Sequence, residues 1–178
     1  MSTRAFDDPV LERQRLAALA QIRQYGDPVL RTPADPVTAF DEALRLDAER
    51  MAAVMHEARG VGLAAPQIGR LRRLVVVRPT PEDEVLALCN PRVVWTGEET
   101  EVDTEGCLSI GEVTVEVERP VAVRVHAQDL AGEGFEVEMS GHPARVIQHE
   151  IDHLDGILML DRTTPEQRRE ALKALRAG

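Results

Sequence analysis

The chain has 178 residues, 43% of them hydrophobic, enough for one compact domain with a real core and too many for a globally disordered chain. Its formal net charge is −10, from 31 acidic and 21 basic residues, a balance unsuited to general nucleic-acid binding. Cys89 and Cys107 are too few for a disulfide framework, no stretch approaches the ~18 apolar residues of a membrane span, and no basic segment followed by an apolar run opens the chain, so a cytoplasmic, reducing setting is expected.

Residues 9–22 read as a short helix with Leu11, Leu16 and Leu19 as its spaced apolar positions. Pro28, Pro33 and Pro36 make the next stretch extended and irregular. Asp41 can cap a second helix running to residue 58, whose apolar set (Leu44, Ala48, Met51, Ala52, Met55) has helical spacing. Gly60 and Gly62 end that helix and open a tight loop. Strand candidates follow at residues 74–77, 85–89, 92–95, 113–117, 121–127 and 135–139. Pro143 suits the first turn of a third helix that should stop near Gly156, and Pro165 opens a terminal helix to residue 176. The expected fold is α+β, a single domain over residues 1–178 in which antiparallel sheets pack around a central metal-binding helix. Residues 1–21 form an N-terminal helical extension and residues 165–177 a C-terminal helix.

The third helix carries Gln148-His149-Glu150-Ile151-Asp152-His153-Leu154-Asp155-Gly156. Residues four apart on a helix share a face, so His149 and His153 can grip one metal ion, with Glu150 beside them to reach a water on it. A catalytic metal usually takes three protein ligands and keeps one position for water. After His153 there is no further His or Cys, although Asp155 and Asp161 remain. Upstream, Thr104-Glu105-Gly106-Cys107-Leu108-Ser109 offers a thiol, with Gly106 permitting unusual backbone torsion. A third segment, residues 60–69, is rich in small residues, would let backbone approach a ligand, and offers Gln67 as an amide donor.

Together the three segments resemble peptide deformylase, whose pattern is G-[IV]-G-L-A-A-x-Q, then E-G-C-L-S, then Q-H-E-x-D-H-L-x-G. They stand here as residues 60–67, 105–109 and 148–156, in the family's order. The resemblance spans residues 22–162. It implies removal of the formyl group from the N-terminal methionine of nascent polypeptides, with Cys107, His149 and His153 as metal ligands and Glu150 as general acid and base for a metal-activated water. It also implies an oxyanion site formed by Gln67 and the backbone N–H of Leu108. One divalent metal ion is implied, ferrous iron first, with zinc, nickel or cobalt able to take its place. Glu105 and Gln148 are candidates to hold the ligands from behind.

The family binds its peptide as an added strand along the glycine-rich loop, so Val61, Gly62 and Leu108 are the expected substrate contacts. Two positions depart from the family's habit. His142-Pro143 stands where two large apolar residues usually precede the metal helix, and Gly111 where a proline usually follows the cysteine motif. They motivate an alternative, a deformylase-like amidase acting on a different N-formyl or N-acyl amine. A zinc endopeptidase fits less well, since it typically takes His or Glu as third ligand. A structural metal site fits less well too, since it needs no base. Plainer roles are expected elsewhere: Cys89 in the core, His56 and His126 satisfied or at the surface, Trp95 and the second helix's methionines in packing, and His142 as a helix cap, with a place in the groove as its alternative. Arg168, Arg169, Lys173 and Arg176 on the terminal helix form a solvated face or a transient dock for the ribosome's RNA; no DNA and no membrane partner is expected.

Overall fold

The computed structural model describes residues 8–177. Along them run α1 (Pro9–Leu19), α2 (Glu42–Glu57), β1 (Gly62–Ala64), β2 (Leu74–Val77), β3 (Leu86–Thr96), β4 (Thr100–Gly106), β5 (Thr114–Pro120), β6 (Ala122–Gln128), β7 (Gly134–Ser140), α3 (His142–Leu154), α4 (Met159–Arg162) and α5 (Pro165–Ala177). The strands form an antiparallel five-stranded sheet of order β1-β2-β3-β6-β7 and a separate antiparallel pair, β4-β5. No helix among the described residues is long and apolar enough to cross a membrane.

The layering follows from the period-two alternation of β2. Leu74 and Val76 point into a core with Met51, Val54 and Met55 of α2, while Val75 and Val77 join Ala144, Ile147, Ile151 and Leu154 of α3. The five-stranded sheet is therefore clamped between two helices, and α3 is the central one. A third core, built by Leu30, Ile110, Val115, Val117, Leu158, Met159, Leu160 and Ala171, lies under the β4-β5 pair and contains Cys107. The α2 start is as expected, with the Asp41 carboxylate accepting the Leu44 N–H at 3.0 Å. Met51 and Met55 are core, and Cys89 is buried with a free thiol.

Several local expectations change. The first helix stops at Leu19, and its Leu11 and Leu16 are exposed while Ala18 is its buried residue. Part of the glycine-rich loop is strand β1, because Gly62–Ala64 finds a partner in β2. The segments at 85–89 and 92–95 are one strand, β3; a register shift between Cys89 and Arg92 takes up Asn90, at φ 50°, and Pro91. Strand β4 had no apolar signal because most of its residues are exposed, and it exists through its ladder to β5. Trp95 is 43% exposed, with the Arg124 guanidinium 5.7 Å from its ring. The cap of α3 is Gly141, at φ 64°, and His142 is the first residue inside the helix.

Candidate active site

Helix α3 is buried from Ala144 to Leu154 although six of those residues are polar or charged. Its apolar positions (Ala144, Ile147, Ile151, Leu154) turn to the sheet, His149 and His153 meet Glu105 and Cys107 at the end of β4, and Glu150 lies against Gly62 of β1. Gly156 ends the region in a left-handed turn, φ 71°, where a Cβ would meet the Arg31 carbonyl oxygen at 2.6 Å. Cys107 is the residue directly after β4, in a turn closed by the Ile110 N–H donating to the Cys107 carbonyl at 2.9 Å. Gly106 has no positive φ, so its backbone freedom is not what aims the thiol.

The sulfur and the two rings converge. Among the described residues, one group of three donors lies within 4.8 Å of one another, Cys107, His149 and His153. Cys107 Sγ is 3.4 Å from His153 Nε2, and the two imidazoles meet edge to face with centroids 4.9 Å apart. Donors bound tetrahedrally to one zinc-like ion at about 2.0 and 2.3 Å stand roughly 3.5 Å apart, so the observed spacing fits a shared cation. Glu150 lies alongside, with its Oε2 buried and without a hydrogen-bond partner among the described residues. Such an orphan carboxylate oxygen suits a water or cation beside it. Asp155 and Asp161 are engaged elsewhere, by Arg73 and Arg31.

Behind the donors sits a charged network that the sequence did not disclose. Glu105 Oε2 lies 3.0 Å from His149 Nδ1, which with a proton donates to it and leaves Nε2 for a metal. Arg119 forks onto both Glu105 oxygens at 2.5 and 3.0 Å and reaches Asp152 at 2.9 Å, while Arg162 holds Asp152 from the surface at 2.7 Å. Arg145, one turn before His149, adds a bond to Glu105 at 3.0 Å and anchors to the Val117 and Glu101 carbonyls. These are buried charges that satisfy one another, as burial demands. Glu105 thus serves as expected, but Gln148 does not: its amide donates to the Pro120 and Ala144 carbonyls. The readable signal for Arg145 and Asp152 was their place within a helix too apolar on its sheet face to lie at the surface.

The electrostatics follow. Burial pushes the Glu105 carboxyl up, but hydrogen bonds from His149 and Arg119 and their charges outweigh it and bring it to about 2. Burial works against the charged form of His149, yet bonds with Cys107 and Glu105 and the charges of Cys107 and Glu150 carry it well above its ordinary range. His153 is held well below that range by burial and by the charges of His149 and Arg119. Burial raises Glu150 to about 7.

Gln67 is 2% exposed. Its carbonyl accepts the Ala64 N–H at 2.9 Å, which turns its amide NH₂ toward Ser109 Oγ at 3.1 Å and Cys107 Sγ at 3.7 Å. Gln67, Glu105, Cys107, His149 and Glu150 open onto one groove of about 660 Å³, lined also by Val61, Gly62, Leu108, Gly111, His142 and Arg145. Gly62 is irreplaceable in a specific sense: a Cβ there would stand 2.5 Å from Glu150 Oε1. Except for His153, which lies buried beneath it, the candidate catalytic and binding residues line one groove, together with Arg15, Leu16 and Leu19 of α1, which sequence reading set apart as an extension. Cys89 lies in the core with the sheet, and His56 and His126 sit near Arg78 and Glu136.

A Cys-His-His group able to hold a metal ion, with a carboxyl at its side and an open groove above it, is the donor set of a metal-dependent hydrolase. Residues 19–169 match the polypeptide deformylase family. Peptide deformylase of Thermotoga neapolitana is 48% identical over 148 residues, 83% of this chain and 89% of that protein. Peptide deformylase of Acidobacterium capsulatum is 43% identical over 159 residues, 87% and 92% of the two chains. Among solved structures, the Synechococcus elongatus enzyme in complex with actinonin superimposes with a TM-score of 0.82 at 39% identity, covering 86% of this chain and 85% of that one. The Thermotoga maritima enzyme gives 0.78 at 48% identity, covering 81% and 97%. The chain belongs to the polypeptide deformylase family, enzymes that hydrolyse the formyl group from nascent peptides.

Proposed function

We propose that the chain deformylates N-formylmethionyl peptides in the cytoplasm. In this reading Cys107, His149 and His153 hold one divalent metal ion, Glu150 is general acid and base, and Gln67 and the Leu108 N–H donate to the oxyanion. The observation that carries it is the convergence of a sulfur and two imidazoles, with Cys107 and His153 46 residues apart, beside a buried carboxyl in an open groove. Bound there, a divalent cation would polarise the formyl oxygen and make water nucleophilic near neutral pH. We assign iron(II); zinc, nickel or cobalt suit the same donors.

Glu150 takes a proton from the attacking water and delivers it to the leaving amine, so formate and a free N-terminus result. As the formyl carbon becomes tetrahedral, its oxygen gains charge that the Gln67 amide and the Leu108 N–H stabilise more than they stabilise the flat amide. Glu105 is a positioning residue that keeps the His149 tautomer through its bond to Nδ1. Val61, Gly62 and Leu108 contact the peptide, and β1, at the edge of its sheet, supports binding of an extended peptide as a further strand. Arg168, Arg169, Lys173 and Arg176, which line one surface recess on α5, support a transient contact with the ribosome.

The test is Glu150→Gln, purified anaerobically and assayed for metal content and for formate release from formyl-Met-Ala. Metal should stay stoichiometric while kcat falls about 10²–10⁴-fold; undiminished turnover would remove the role from Glu150. Wild-type rates on formyl-Met peptides no better than on other formyl amines would favour the amidase alternative, for which His142 in the groove lining speaks.

A further inference from the structure

The family match starts at residue 19, the last of α1, yet the helix before that point reaches the active-site groove. Arg15, Leu16 and Leu19 line it together with Gly60, Val61 and Leu108. Leu16 is 56% exposed and Val61 45% exposed, so two apolar side chains from distant segments meet solvent on the lining of a single groove. The packing of α1 does not need Leu16, because the helix seats on the core through fully buried Ala18 and half-buried Leu19.

The helix is also held firmly to the reacting centre. Glu12 pairs with Arg15 at 3.0 Å and reaches Arg59, just ahead of Val61, at 4.0 Å. The chain leaving α1 then bonds to the segments that bear Gln67 and Leu108. The Arg23 N–H donates to the Gln67 carbonyl at 2.7 Å, the Tyr25 N–H to the Ser109 carbonyl at 2.7 Å, and the Gln24 amide to the Leu108 carbonyl at 3.1 Å.

We infer that α1 is a specificity wall, in which Leu16, with Val61, receives an apolar side chain from a substrate residue beyond the formylated methionine. The occupant is the substrate itself, because the wall continues the groove that contains Cys107, His149 and Glu150. Since α1 supplies no group to the donor cluster, the inference sets the later part of a bound peptide against it. The inference rests on the deformylase reading above and adds a substrate preference to it.

The experiment measures kcat/KM for formate release from formyl-Met-Ala-Leu against formyl-Met-Ala-Ser, and from formyl-Met-Leu-Ala against formyl-Met-Ser-Ala. The wild type should prefer leucine over serine at one of the two positions by about three- to tenfold, the scale of a partly buried leucine. Leu16→Ser should bring that ratio close to one, and Leu16→Ile should restore it. A ratio that Leu16→Ser leaves unmoved, whether or not all rates fall together, overturns the wall while the deformylase reading stands. Absence of formate from all four peptides overturns both.

Discussion

Replacing Gly62 by alanine adds one methyl group at the point where the backbone and the proposed base are closest. The new Cβ would lie 2.5 Å from Glu150 Oε1 and 2.9 Å from both Cδ and Cγ. Ordinary carbon–oxygen contacts are about 3.3 Å or longer, so the carboxylate has to retreat by roughly 0.8 Å. Glu150 is buried, and contact with its Cγ means that turning the carboxylate alone does not relieve the clash. Gly62 does not use a positive φ, so alanine meets no backbone strain and the substitution isolates the contact. A misplacement of ~1 Å costs about a hundredfold in rate. Overpacking costs about 1–3 kcal/mol, and the lower entropy of the unfolded chain returns about 0.4–1. The net loss, at most about 2.6 kcal/mol, lowers Tm by no more than roughly 10 °C. The assay is kcat for formate release at saturating peptide, with metal content and Tm on the same preparation. Gly62→Ala should keep its metal and lose about two orders of magnitude in kcat. Gly60→Ala, whose Cβ presses at 2.8 Å on the flexible end of Leu108, should lose less than Gly62→Ala. Turnover within twofold of wild type in Gly62→Ala would refute the idea that the position of Glu150 sets the rate.

Cys107→Ser keeps a similar volume but offers a hydroxyl that does not ionise near neutral pH, so metal affinity should fall at least roughly tenfold; equal metal stoichiometry under chelator competition would remove Cys107 from the donor set. Arg119→Met removes the cation shared by buried Glu105 and Asp152, which keep Arg145 and Arg162, so it should cost about 1–3 kcal/mol in chemical denaturation and loosen metal binding through His149; no measurable loss in either would show Arg119 to be dispensable. Asp161, which burial would raise, is lowered by its bond from Arg31 and by the Leu158 N–H. Its stabilising effect is therefore complete above the ordinary carboxylate pKa of ~3.9 and fades as pH falls through its lower folded value. Asp161→Asn should cost roughly 1–4 °C in Tm at neutral pH and progressively less as the pH falls through that lowered value, and a deficit that widens on acidification would contradict that sign.

The parts of the site that depend on local rules were legible. His149 and His153 were placed on one face by their spacing, Asp41 and Pro143 marked helix starts by their chemistry, and β2 was bounded correctly because Leu74–Val77 is uniformly apolar. Gln67, Cys107 and Leu108 were named because their segments match a known pattern. Strand β4 was missed because its side chains are mostly exposed, and β1 because its strand character comes from β2. Arg119 reads as one of many charges until the fold buries it between Glu105 and Asp152.

By itself the sequence determined the chemical groups available, the helix that carries two imidazoles and a carboxyl, and the alternation that puts apolar positions on both faces of β2. These depend on residues a few places apart, whose relation is set by helix and strand geometry. Only the tertiary structure decided that Cys107 meets those imidazoles, that Glu105, held from behind by buried Arg119 and Arg145, touches His149, and that α1 lines the groove. Such meetings depend on how distant segments return to one another, and that is settled by the simultaneous packing of three cores rather than by any local periodicity.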